Sequence, residues 1–312
     1  MNDSYFNEKQ ETGFFNRNKV VSFAIIISCM LFICIFFMEK SRSVLNMVPL
    51  LRGEVHLDGG FIITTIKNKY PIIIKKNDPF IGKQLRFSGS IKSIFAAVAD
   101  SLCRPNDVVV EVGAHFGYNA LSLGDRLRGG GKYYAYEPNP FVISCLRKSI
   151  VLNDLEQVIF PKSIAISGKE GTCHIEDCVA LASSVQDDDE PISPNQAQDH
   201  KFIDVNCNTL DKELSDEIQP ITLLLIDIPG FEFSIIKGAR DIMKRSPDIK
   251  LVVAIDMDES SKTLDPQKEL EELAENGYKF YIAETPKTYT SAKISEILAK
   301  KKMVLLIAKC DP

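Results

Sequence analysis

A chain with 37 Lys and Arg against 42 Asp and Glu has no basic excess, and its net charge of −5 leaves little to pair with a phosphate backbone. Nucleic acid is set aside as a partner. Internal repeats and low-complexity arrays are also lacking, so the chain is not read as a repeat array. The eight cysteines form no spaced disulfide framework: Cys29 and Cys34 fall in one apolar run, while Cys103, Cys145, Cys173, Cys178, Cys207 and Cys310 are scattered. Cys173, His174 and Cys178 sit in an alternating, strand-like stretch without a second ligand pair at finger spacing, so structural cysteine and no metal site are expected.

What is present is ordinary globular composition, 45% hydrophobic and 25% charged over 312 residues, enough for one sizeable domain with appendages. Residues 1–19 read as a polar tail. Residues 20–38 carry no charge, and an apolar stretch of ~20 residues spans a bilayer core as a helix. A cleaved signal peptide is the competing reading, but Met38-Glu39-Lys40-Ser41-Arg42 offers no small-residue cleavage site. Lys9, Arg17 and Lys19 before the span balance Lys40, Arg42 and Arg52 after it, so charge does not orient it.

Residues 39–87 read as linker and short strands, with 61–66 and 70–75 meeting around Asn68-Lys69 in a hairpin that precedes the main domain, 88–312. Ile91, Ile94, Phe95, Val98 and Leu102 have helical spacing. Strand and helix then alternate. Asn139-Pro140 and Asp265-Pro266 open helices, and Phe231, Ile235, Ala239 and Ile242 form one apolar stripe. The apolar run that starts at Ile221 and ends in the carboxylate of Asp227 reads as a central parallel strand. Short strands are expected at 108–112, 133–136, 158–160, 251–255, 278–283 and 303–308, and residues 186–200 read as an exposed acidic loop.

The chemistry lies at two strand ends. Asp-Val-Val-Val-Glu-Val-Gly-Ala-His-Phe-Gly at 107–117 is a buried strand entering a glycine turn at Gly113 and Gly117, where a missing side chain lets backbone approach a ligand. A second strand ends in Glu137, where a doubly wound sheet grips a ribose hydroxyl. Dinucleotide folds use G-x-G-x-x-G to face a pyrophosphate. Here the two glycines stand four apart, which disfavours a nicotinamide enzyme.

Together with Glu-Pro-Asn-Pro at 137–140, Asp-Val-Asn-Cys-Asn-Thr-Leu-Asp at 204–211 and Leu-Leu-Leu-Ile-Asp-Ile-Pro-Gly-Phe-Glu-Phe at 223–233, the set resembles the FkbM family of class I S-adenosylmethionine-dependent methyltransferases. The resemblance covers residues 88–309 and implies an α/β, Rossmann-like sheet of about seven strands, mostly parallel with one antiparallel strand near the edge. It implies S-adenosylmethionine as cofactor, held around Glu111, Gly113, His115, Gly117, Glu137 and Asn139, with Asp227 and Glu232 nearest the transferred methyl. His115 is expected to orient backbone by a hydrogen bond. Glu111 has two open readings, a bond to the cofactor's amino group or a cap on the turn. Asp227 equally suits capping of the following helix, and Glu232 suits a structural role.

The implied activity is O-methylation of a hydroxyl on a glycan, lipid-linked or secondary-metabolite acceptor. Because S-adenosylmethionine is made in the cytosol, the catalytic domain is expected on the cytosolic side of a single-pass anchor. Two departures stand out: the family usually has Lys two residues before the strand-end Asp and Glu two after it, where this chain has Leu225 and Pro229. They motivate an alternative, a catalytically weakened scaffold at the membrane that still binds the cofactor.

Overall fold

The computed structural model describes residues 54–78, 81–176, 202–217, 219–300 and 303–310. The expected polar tail, the apolar run 20–38 and the acidic loop 186–200 lie outside these residues, and among the described residues no helix is long and apolar enough to cross a membrane.

The described chain opens with a three-stranded antiparallel sheet, β1 (Val55–Leu57), β2 (Phe61–Ile66) and β3 (Tyr70–Lys75). The hairpin falls where alternation placed it, with Lys67 and Asn68 at φ +52° and +53° in its turn. Next come α1 (Gly82–Ser88) and α2 (Ile94–Leu102), the latter capped by Ser93, whose Oγ accepts from the Ala96 N–H at 3.2 Å. The alternating core then runs β4 (Val108–Val112), α3 (Tyr118–Gly124), β5 (Lys132–Tyr136), α4 (Pro140–Leu152) and β6 (Ile159–Lys162). A small sheet follows, built from β7 (Ala165–Ile166), β8 (Gly171–Glu176) and β9 (Phe202–Asn208), and leads through α5 (Leu210–Glu213). The last third is β10 (Leu223–Ile226), α6 (Glu232–Lys237), α7 (Arg240–Arg245), β11 (Lys250–Ile255), α8 (Met257–Ser260), α9 (Pro266–Glu275), β12 (Tyr278–Thr285), β13 (Thr288–Ala292), α10 (Ile294–Leu298) and β14 (Val304–Cys310).

The main sheet has eight strands in the order β13-β12-β14-β11-β10-β4-β5-β6. Strands β11, β10, β4, β5 and β6 are mutually parallel, whereas β14 runs against both β11 and β12. β14 is the reversed strand that the resemblance implied near one edge, and β13, antiparallel to β12 at the edge itself, is a second. The eighth strand, β13, goes unread in the sequence because Thr288–Ala292 is largely exposed and carries no buried alternation. β4 and β10 bury every residue. Each buried Val or Leu side chain stabilises the fold by ~1.5–3 kcal/mol, which makes these strands the centre of the core.

Successive strands leave β4 in opposite directions, toward β5 on one side and β10 on the other. The crevice outside the carboxyl ends at such a switch point is where open α/β sheets bind ligands. One expected core residue is displaced: Phe231 precedes α6 and is 45% exposed, while Ile235, Ala239 and Ile242 are buried. The helical stripe breaks because α6 and α7 are two short helices rather than one.

Candidate functional site

The turn leaving β4 has three residues in the left-handed region, Gly113 (φ +89°), His115 (φ +51°) and Gly117 (φ +92°). A Cβ on Gly113 would stand 2.5 Å from Ile228 Cδ1 and 3.0 Å from the Asp227 carbonyl oxygen, and one on Gly117 would stand 2.3 Å from Leu146 Cδ1. Both glycines are therefore required by conformation and by the turn's packing against the loop after β10 and against α4. The Gly113 and Ala114 N–H groups both donate to the Tyr136 carbonyl at 3.0 Å, which fastens the turn to the end of β5.

Glu137 follows β5 directly. Its Oε2 accepts the His115 N–H at 3.0 Å and its Oε1 accepts the Asn139 N–H at 2.8 Å. Burial pushes its carboxyl up to about 7, against the pull of those two N–H donors. A carboxylate offers about four lone-pair sites, so each oxygen keeps capacity for a ligand hydroxyl. Asn139 Oδ1 accepts the Phe141 and Val142 N–H groups at 3.0 and 3.2 Å, the helix cap its sequence context suggested. The His115 group on Glu137 is its backbone N–H, so that bond does not use the imidazole. Its ring lies 3.6 Å from the buried Asp78 carboxylate, and burial lowers its pKa while Asp78 opposes the shift. Asp78 also accepts the Ile81 and Gly82 N–H groups at 2.7 and 3.0 Å, joining the segment after the hairpin to the glycine turn.

Glu111 lies on the face of β4 opposite Val110 and Val112, so it points away from the apolar cluster those two valines join. Asn119 Nδ2 donates to its Oε1 at 2.7 Å and the Tyr133 hydroxyl to its Oε2 at 2.8 Å. Burial pushes its carboxyl up to about 7, with the charges of Asp227 and Glu137 adding to the shift. Leu225, fully buried, is its register partner across β10. The ammonium that the family usually carries at this position would thus stand beside Glu111, in the sheet interior, rather than at the acceptor side of the crevice.

Asp227 ends β10 at the surface. Protein packed around its base, and then the Glu232 charge, raise its carboxyl above the usual range. Glu232 is fully buried: its Oε1 accepts the Asp256 N–H at 2.8 Å and its Oε2 the Ser260 hydroxyl at 2.6 Å, locking α6 to the loop after β11. The two expected catalytic carboxylates therefore have different surroundings, one open and one occupied by its own protein.

Three residues were not found from the sequence. Asp78 was hidden in a linker. Asn119 and Tyr133 were legible in principle, because Tyr133 shares Glu111's face by strand alternation and Asn119 begins the helix after the turn. Asn119 Oδ1 and Ser122 Oγ are buried with no hydrogen-bond partner. Their residues line a cavity of about 470 Å³ between α2 and α3, which Lys67 and the Pro286-Lys287 turn also line and which does not include Glu111, Glu137 or Asp227. The residues fit S-adenosylmethionine: Glu111 and Glu137 are acidic, which suits a cationic ligand and opposes a pyrophosphate. Glu137 would hold ribose hydroxyls, and Asn119 Oδ1 with Glu111 would hold the amino-acid end.

Residues 111–280 match the family model of the methyltransferase FkbM domain. No curated protein matches the chain. Among solved structures, the methyltransferase FkbM of Methylobacillus flagellatus KT is 16% identical, with 67% of this chain and 45% of that chain covered and a TM-score of 0.40. The chain thus spans less than half the length of that relative. The precorrin-6y C5,15-methyltransferase of Geobacter metallireducens GS-15 is 13% identical over 71% of this chain and 90% of its own, TM-score 0.40. A TehB-like SAM-dependent methyltransferase of Corynebacterium glutamicum is 9% identical over 73% and 94%, TM-score 0.40.

Proposed function

The chain belongs to the FkbM methyltransferase family, for which S-adenosylmethionine is the implied cofactor, and from that premise we infer that it methylates a hydroxyl oxygen of a glycan, lipid-linked or secondary-metabolite acceptor. When bound, S-adenosylmethionine supplies an electrophilic methyl group on a sulfonium. The chain's own residues account for binding, orientation and proton transfer. Glu137 accepts ribose hydroxyls while the His115 and Asn139 N–H groups fix its carboxylate. Glu111, fixed by Asn119 and Tyr133, carries negative charge toward the cationic end. Asp227 takes the acceptor's hydroxyl proton, and Glu232 holds the loop that presents it. Holding nucleophile and methyl in near-attack geometry supplies much of the acceleration.

The observation that carries this reading is Asp227: an open carboxylate with a raised pKa, on the strand beside the glycine turn. A raised pKa makes the Asp227 carboxylate a stronger proton acceptor than an ordinary aspartate. The test is transfer of a tritiated methyl group from the cofactor to glycan and lipid extracts. Label in a base-stable methyl ether is expected; label released by mild base, as from a methyl ester, would contradict a hydroxyl acceptor.

Residues 20–38 are read as a single membrane span, with the domain on the cytosolic side where the cofactor is made. Protease added outside sealed spheroplasts should leave the domain intact, and its digestion would reverse the assignment.

A further inference from the structure

Phe231 is the large apolar residue whose position agrees least with its spacing. Helical periodicity assigns it to the core stripe, yet it is 45% exposed, four residues beyond Asp227 on the same loop. That loop is firmly held. The Phe231 N–H donates to the Ile228 carbonyl at 3.1 Å, and its carbonyl accepts the Ile235 N–H at 2.9 Å. The preceding Gly230 (φ +83°) gives its carbonyl to the Thr263 hydroxyl at 2.8 Å, and Glu232 is bonded on both oxygens. The aromatic ring is thus kept out of the core by a fixed backbone. Leaving much of a phenyl group in water forgoes ~25 cal/mol for each Å² of apolar surface, which a ligand's apolar face would recover. Polar groups share this loop and its neighbour: Asp227 is exposed four residues before it, and a Cβ on the preceding Gly230 would stand 3.3 Å from Cβ of the exposed Glu259, which pairs with Lys262.

We propose that Phe231 is the platform on which the acceptor stacks, and that the acceptor presents to it the flat C–H face of a sugar ring whose hydroxyls reach the neighbouring carboxylates. A rigid aromatic beside hydrogen-bond acceptors matches a molecule with an apolar face and hydroxyl edges. This rests on the hydroxyl-methylating reading above and makes Phe231 a determinant of acceptor choice within it.

The chain contains no tryptophan, so Phe231→Trp introduces a single fluorophore at the proposed platform. Val151→Trp, at the far end of α4, serves as the control. Full-length protein in detergent with S-adenosylhomocysteine is titrated with the methyl glycosides of glucose, galactose, mannose and rhamnose. At least one glycoside should change the Phe231→Trp emission saturably and leave Val151→Trp unchanged. By saturation-transfer NMR, Phe231→Ala should bind that glycoside roughly three- to tenfold more weakly, and Phe231→Tyr should restore binding. No emission change with any glycoside, an equal response from Val151→Trp, or unchanged binding by Phe231→Ala overturns the proposal. S-adenosylhomocysteine affinity, measured on the same samples by calorimetry, separates the two levels: its retention confines a failure to the acceptor platform, and its absence removes the methyltransferase reading itself.

Discussion

Glu137 after β5 and Asp227 after β10 stand at the same sheet edge on either side of β4, yet the protein treats them in opposite ways. Both oxygens of Glu137 are fixed by backbone N–H groups, one from the glycine turn, and the residue is buried. Asp227 stands at the surface, and the carboxylate fixed on that side is its neighbour Glu232. A carboxylate locked before the ligand arrives is suited to binding, whereas one with an open face is suited to exchanging a proton. The β5 side therefore reads as the holding half of the site and the β10 side as the reacting half.

The division is broken most sharply by substituting the open carboxylate. Asp227→Asn should lower methyl transfer by ~10² to 10⁴, the usual worth of a positioned base, and leave cofactor affinity within about twofold. Full turnover by that variant would make proximity alone responsible for the chemistry. Glu137→Ala should show the reverse pattern, a loss of cofactor affinity of ~5- to 150-fold, corresponding to ~1 to 3 kcal/mol for unsatisfied buried partners. Glu232→Ala should act on stability, costing about 1–3 kcal/mol in chemical denaturation because the Asp256 N–H and Ser260 hydroxyl lose their acceptor. If Glu232→Ala keeps its stability and loses only turnover, Glu232 belongs to the reacting half.

Smaller effects should appear with pH. Glu111 and Glu137 both rise from 4.5 to about 7 on folding. A carboxyl whose folded pKa is raised contributes stability below its unfolded pKa, and that contribution is lost as pH rises through the folded value. The ligand-free domain should therefore lose their share of stability between about pH 4.5 and 7, as read by thermal melts of the wild type against Glu111→Gln. A cationic ligand favours the ionised carboxyls, so cofactor affinity should increase as pH rises through about 7, with proton release. Leu225→Lys, placing an ammonium beside Glu111, should pull that carboxyl downward, as seen by NMR titration, and flatten the pH dependence.

The holding half was the more legible in the sequence because its signals are local: a buried valine strand, two glycines and a strand-end glutamate all lie within 30 residues, 108–137. Seven of the eight strands were read from the sequence and their arrangement was implied by the resemblance; β13 was missed because its residues are largely exposed. The reacting half depends on contacts distant in sequence. Glu232 meets Asp256 and Ser260 24 and 28 residues away. Spacing alone could not separate a buried strut from an open base. The Leu225 departure also acquired its meaning from sheet register, which pairs it with Glu111 rather than with the acceptor side.

The central claim, that the acidic crevice holds a sulfonium cofactor rather than a dinucleotide, is tested most directly by calorimetric titration of the full-length protein with S-adenosylmethionine and NAD at pH 6 and pH 8. Binding of S-adenosylmethionine alone, tighter at pH 8, is the predicted result. Measurable NAD binding with no heat from S-adenosylmethionine would contradict it.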